Sequence, residues 1–121
     1  MDGAAVEDVF TAFGPVRCRR MFGGLGIYAA GVMFALMVDD EIYLKTDSDF
    51  ADTLQAEGSH PFAYEGRGRQ VTTSYWSIPP RRIDDAEAVA EIAHRALRVA
   101  QEAAAKLAAR RSRTGQKRLP R

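Results

Sequence analysis

A chain of 121 residues, 46% hydrophobic and 27% charged, can bury one self-sufficient core and is too apolar for a disordered body. Its single cysteine excludes an intramolecular disulfide and suits a reducing compartment. The net charge of +1 hides a division: residues 106–121 hold seven cations and no acid, which leaves residues 1–105 with ten cations against sixteen acids, a net of −6. A basic block of this kind is either an interaction tail, with nucleic acid the first partner to consider, or a solvated end.

The N-terminus carries Asp2, Glu7 and Asp8 where a secretory signal needs cations and an apolar run. Residues 23–38 are uncharged, but a 16-residue stretch holding four glycines falls short of the roughly 20 residues that span a bilayer. Two adjacent buried strands account for it, so no membrane association and a cytoplasmic location are expected.

In chain order, Val6, Val9, Phe10 and Phe13 recur at helical spacing over residues 4–13, with Gly14-Pro15 as the stop. Residues 16–22 alternate, placing Val16, Cys18 and Phe22 on one side and Arg17, Arg19 and Met21 on the other, with Arg20 intruding on the apolar side. Residues 25–29 and 32–38 read as strands joined at Gly31. Asp39-Asp40 makes a tight turn into a strand with Ile42 and Leu44 inward. Asp47 is an acceptable N-cap for a helix that buries Phe50 and Leu54 and stops at Gly58.

Two more strands, residues 62–65 and 71–78, flank the hairpin loop Gly66-Arg67-Gly68-Arg69, and Pro79-Pro80 closes the sheet region. For the last helix, Asp84 and Glu87 resemble a capping box and Ile83 is placed to staple onto Ala88. Its apolar stripe runs through Val89, Ile92, Ala93, Ala96, Ala100, Ala103 and Leu107. Beyond Ser112 the composition is polar, basic and without periodicity, the signature of a disordered tail. The expected fold is therefore α+β, an antiparallel sheet with flanking helices in the order α-β-β-β-β-α-β-β-α, comprising a domain over residues 1–111 and a tail over 112–121.

Candidate chemistry is sparse. Residues 24–29, Gly-Leu-Gly-Ile-Tyr-Ala, match a loose dinucleotide fingerprint, yet strand-like residues follow where a helix N-terminus must meet the pyrophosphate. Asp47-Ser48-Asp49 lacks the glycine and glutamate that a calcium-binding EF-hand loop requires. Glu91 and His94 supply half of a di-iron helix motif without a second copy. Cys18 lies between Arg17 and Arg19, but its alternation with Val16 and Phe22 turns it toward the core. The serines have no evident base nearby. No catalytic residue, metal or cofactor is implied.

Two clusters remain. Arg17, Arg19 and Arg20 concentrate positive charge, the first two on one face, where they either grip phosphate or carboxylate groups or pair with the domain's own acids. In residues 74–79, Tyr75 and Trp76 could stack on bases or fill an interface, although a lone Trp on a strand is most often core.

Several linked segments carry a resemblance: residues 19–24 (Arg-Arg-Met-Phe-Gly-Gly), 26–28 (Gly-Ile-Tyr), 32–36 (Val-Met-Phe-Ala-Leu), 43–45 (Tyr-Leu-Lys), 61–66 (Pro-Phe-Ala-Tyr-Glu-Gly) and 74–79 (Ser-Tyr-Trp-Ser-Ile-Pro). In order and spacing, across roughly residues 3–100, they resemble the N-terminal domain of the TfoX/Sxy family. The resemblance implies a secretion-chaperone-like α+β fold. It also implies a regulator of natural competence that acts beside the cyclic-AMP receptor protein at promoters, and not an enzyme. Full-length regulators of that family carry a second, helical C-terminal domain where this chain has its basic tail, so a stand-alone N-terminal domain is expected. Gly23, Gly24 and Gly66 are expected at positive φ.

The function expected is a regulatory module working through protein contacts, with transcription machinery as a partner, and through weak nonspecific DNA contact. The DNA-contacting candidates are Arg17, Arg19, Arg20, Lys106, Arg110, Arg111, Arg113, Lys117, Arg118 and Arg121. The alternative is a protein-binding adaptor or chaperone-like homodimer with no nucleic-acid role.

Overall fold

The computed structural model describes residues 2–21 and 23–118, and for 113–118 the backbone course alone. Nine elements follow the expected order: α1 (Gly3–Val9), β1 (Arg17–Met21), β2 (Gly24–Ala29), β3 (Val32–Val38), β4 (Glu41–Lys45), α2 (Ser48–Ala56), β5 (Pro61–Gly66), β6 (Arg69–Ser77) and α3 (Ala86–Arg118). The strands form one antiparallel sheet in the order β1-β2-β3-β4-β6-β5, with β3 central as its apolar run requires.

Tight turns set the register. Ala30-Gly31, Asp39-Asp40 and Arg67-Gly68 each place two successive residues at positive φ, the geometry that matches the right-handed twist of a hairpin. Between β2 and β3 the pairing slips from Ile27↔Ala35 to Tyr28↔Met33, leaving Phe34 as the extra residue of a bulge. Phe34 and Ala35 are both fully buried and both belong to the core cluster.

All three helices pack on one face of the sheet. Val6 and Phe10 of the first segment, Phe50 and Leu54 of α2, and Val89, Ile92, Ala93 and Ala96 of α3 close over Ile27, Met37, Ile42 and Leu44. Phe10 meets Phe34 edge-on at 5.4 Å, and Phe13 stacks on Phe34 at 4.9 Å. Each large apolar side chain so buried contributes about 1.5–3 kcal/mol. Trp76 packs against this core, as a lone strand Trp was expected to do.

Helix ends show where local chemistry overrides periodicity. The first helix stops at Val9, short of residue 13, and the Thr11 hydroxyl donates to the Asp8 carbonyl at 2.7 Å, competing with the next helical turn. Asp47 caps α2 through Phe50 N–H at 2.9 Å, as its position suggested. The cap of α3 is Asp85, not Asp84: its Oδ1 accepts from Glu87 and Ala88 N–H at 3.1 and 3.2 Å, because residues 81–84 are taken up in a turn. That one-residue shift removes Ile83 from stapling position and leaves it exposed.

Regular helix in α3 continues to Arg118, past Ser112. Arg113, Gln116, Lys117 and Arg118 are good helix formers, and backbone i to i−4 bonds, which need no tertiary partner, carry the helix through the weaker Ser112, Thr114 and Gly115. The packing stops much earlier: Val99 and Ala100 are buried, and every residue from 101 to 112 is exposed. The apolar stripe thus outruns the sheet, and Ala103 and Leu107 lie on a projecting segment of about 18 Å.

Candidate nucleic-acid interface

The register divides the arginine cluster. Arg17 lies opposite Tyr28 and Arg19 opposite Gly26, so both point to the sheet face away from the helices, and both are exposed. The Arg19 guanidinium sits 5.8 Å from the Tyr28 ring centroid. Arg20 points to the helix side, where it lines a recess with Asp2, Gly3, Leu25 and Met37. Among the described residues no carboxylate lies within 4 Å of any of the three guanidinium groups, although Glu7 lines a recess with Arg17 and Arg19.

The glycines beside this strand work mostly by close approach. Gly23 does have positive φ, at +78°. Gly24 does not; a Cβ there would run into the Met37 carbonyl oxygen. At Gly26 a Cβ would come within 2.7 Å of Met21 Sδ and 2.8 Å of Met33 Sδ, because those thioethers fold over it on the open face. Gly66 also departs from the expectation, with ordinary φ and the Tyr64 ring edge close by. Phe22 lies outside the described residues.

Across the rest of the open face run aromatic and basic groups. Tyr43, Phe62 and Tyr64 form a row, with centroids 5.2 Å apart for the first pair and 6.1 Å for the stacked second pair. Lys45 pairs with Tyr75 across the ladder, its ammonium 5.2 Å from the ring and 2.7 Å from Ser74 Oγ. Burial, then the neighbouring Tyr28 phenol, pushes the Tyr75 hydroxyl pKa up. By register the face carries Arg17, Arg19, Lys45 and Arg69, and its acid is Glu41. At its β1 edge, Glu7 of α1 lines a recess with Arg17, Arg19 and Tyr28.

Glu41 is itself engaged. Its Oε1 accepts from the Tyr43 hydroxyl at 3.0 Å and lies 3.2 Å from His60 Nε2. Burial first, then the Glu41 hydrogen bond and charge, pushes the Tyr43 pKa up to about 12. His60 Nδ1 lies 3.4 Å from Ser77 Oγ, so one serine does have a base beside it, which the sequence did not reveal. The chain Ser77–His60–Glu41 is nonetheless no nucleophile relay: Ser77 is 2% exposed and its Oγ accepts the His60 backbone N–H at 3.1 Å. The network ties the start of β5 to β4 and β6.

The other singled-out side chains serve structure. Glu91 accepts from Arg82, and the His94 ring packs 4.7 Å from Phe13. Cys18 is half-buried against the core, and burial and the nearby Glu7 push its thiol pKa up. Among the described residues no helix is long and apolar enough to cross a membrane.

The remaining predicted cations sit on α3. Lys106, Arg110 and Arg111 are exposed on the projecting segment; the side chains of Arg113, Lys117 and Arg118, and all of Arg121, lie outside the described residues. The family described as the TfoX N-terminal domain matches residues 8–100. The chain belongs to that family. No curated protein matches it. The match begins at Asp8, near the end of α1, and ends at Ala100, the residue where α3 leaves the sheet, so the basic turns of α3 lie beyond it. Much of the family pattern is architecture: Gly24 and Gly26 allow close approach, Ser77 and Ile78 are buried, and Pro79 is fully buried.

Proposed function

We propose that this TfoX N-terminal domain is a non-enzymatic regulatory module of the cytoplasm. It acts through protein contacts with the transcription machinery and through weak, nonspecific duplex-DNA binding by the basic end of α3. One observation carries the reading: α3 leaves the acidic helix side of the body at Ala100 and holds Lys106, Arg110 and Arg111 exposed beyond it. Phosphate is drawn to that segment while the α1–α2 side repels it. Flexible Lys and Arg contacts carry no base code, so affinity without sequence preference follows.

The alternative, an adaptor or chaperone-like dimer, draws on Ala103 and Leu107, apolar residues of the same projecting segment. A salt series of anisotropy titrations on a fluorescent duplex separates the two. The comparison is the full chain against a tail-neutral chain with Lys106, Arg110, Arg111, Arg113, Lys117, Arg118 and Arg121 replaced by Gln. Four to five phosphate contacts give a log–log slope of about −3.6 to −4.5 that the tail-neutral chain loses. Equal binding by both chains would sink the α3 assignment, and no binding by either at low salt would favour the adaptor.

A further inference from the structure

From the open sheet face we infer a second binding site, specific for unpaired nucleic-acid strands. It stands apart from the duplex contact proposed for α3, in its residues and in its chemistry.

Three features converge there. The face is left uncovered by the chain's own helices, all of which pack on the other side. Its charge leans positive: by register Arg17, Arg19, Lys45 and Arg69 lie on it against Glu41, whose Oε1 is already shared by Tyr43 and His60, while Asp39 near Tyr43 and Glu7 beside Arg17 and Arg19 stand at its margins. Its rings are presented in a series. Tyr64 is 49% exposed and stacks on Phe62 with an interplanar angle of 29°, while the Arg19 guanidinium extends the Tyr28 ring at the other end.

An unpaired strand is the occupant that uses both halves of this surface. Its bases stack on aromatic rings and guanidinium planes while its phosphates meet the flanking cations. A duplex keeps its base faces inside the stack and would use the cations only. A second copy of the chain would gather eight of these cations in one sheet-to-sheet interface, a charge accumulation that opposes dimerisation there and leaves no phosphate to offset it. An acidic peptide would satisfy the charge but leave the rings without stacking partners.

The test uses the tail-neutral full chain, so that α3 contributes nothing, and follows anisotropy of labelled oligo-dT and oligo-U of about twelve nucleotides, within the reach of one stacking site. Binding is expected for a single strand and absent for a duplex of equal length; the ratio of the two oligomers tells whether DNA or RNA is preferred. Tyr64→Leu, which keeps an apolar strand residue, should weaken binding about fivefold to tenfold, and Tyr64→Phe should restore it. Replacing Arg17 and Arg19 by Gln should make the salt slope shallower by about 1.4. No single-strand binding, an unchanged affinity in Tyr64→Leu with an unchanged melting temperature, or displacement by poly-glutamate as effective as by oligo-dT would each overturn the proposal. Because the tail is already neutral, these failures leave the α3 reading untouched, and failure of α3 on duplex DNA leaves this one standing.

Discussion

Arg82 holds Glu57 with two parallel hydrogen bonds, Nε to Oε1 at 2.8 Å and Nη2 to Oε2 at 3.0 Å, and so joins the end of α2 to the approach of α3. Its Nη1 also donates to the Ala88 carbonyl at 2.9 Å and to Glu91 Oε1 at 3.0 Å. Glu57 is the C-cap of α2, an unfavourable end for a negative charge, and the guanidinium offsets it.

Arg82→Met should cost about 1–3 kcal/mol, because the pair is only 19% and 16% exposed and its loss leaves the Glu57 carboxylate with only the exposed Arg81 guanidinium, 3.9 Å away. The Arg82 hydrogen bond, outweighing burial, lowers the Glu57 pKa below its ordinary 4.5. A depressed carboxyl stabilises the fold fully above the unfolded value and loses that contribution as pH falls through the folded value. Denaturant melts should therefore show the wild-type advantage constant near neutrality and shrinking below about pH 4.5. A gap independent of pH would show that the Arg82 stem, not its charge, matters.

Tyr43 supplies the opposite case. Its phenol is held protonated up to about 12, against an ordinary 10, so its contribution is complete below 10 and lost as pH rises toward 12. Tyr43→Phe should flatten part of the alkaline fall in stability and remove one late step from an ultraviolet phenol titration. A Tyr43 phenol that titrates near 10 would contradict its part-buried hydrogen bond to Glu41.

The element order was legible because the segments are short, bounded by Gly, Pro and Asp pairs, and strongly periodic. Arg17 and Arg19 on a common face follows from period two alone. The neighbouring of Tyr75 and Tyr28 was not legible, because it depends on β6 inserting between β4 and β5, a long-range choice no local pattern encodes. The same holds for His60, just before β5, beside Ser77 at the end of β6. Glu57 and Arg82 gave no signal either, since a carboxylate and a guanidinium 25 residues apart read as ordinary surface charges.

The two β2 glycines should respond differently to alanine. At Gly24 the obstacle is the Met37 backbone carbonyl, which cannot move without breaking the β2–β3 ladder, and a loss of about 3 kcal/mol is expected. At Gly26 the obstacles are the Sδ ends of Met21 and Met33, flexible side chains that can swing aside for about 1 kcal/mol. Chemical denaturation of both variants checks the order; a more harmful Gly26→Ala would mean that the thioether pair is rigidly packed.

Cys18 should react slowly with an aqueous aromatic disulfide reagent. It is half-buried, and burial and Glu7 raise its thiol pKa, so little thiolate forms at neutral pH. A rate about tenfold below that of the denatured chain is expected. Equal rates would place the thiol in open solvent.

The projecting part of α3 yields the last test. Ile92 is 5% exposed within the core, and Ile92→Ala should cost about 2–4 kcal/mol at any protein concentration. Leu107 continues the same stripe but is 45% exposed, so Leu107→Ala should change the stability of the isolated chain by no more than about 0.5 kcal/mol. The comparison also reports on association. If the Ala103–Leu107 stripe is covered by a second chain, the melting temperature must rise with protein concentration by mass action, and Leu107→Ala must remove that rise. If the segment stands free for phosphate, neither chain shows concentration dependence, and the tail-neutral chain melts as the wild type does. Thermal melts of the three proteins over a hundredfold concentration range, with sedimentation at both ends, decide between the two. A Leu107→Ala loss as large as that of Ile92→Ala at every concentration would contradict both, because it would require Leu107 to be packed within its own chain.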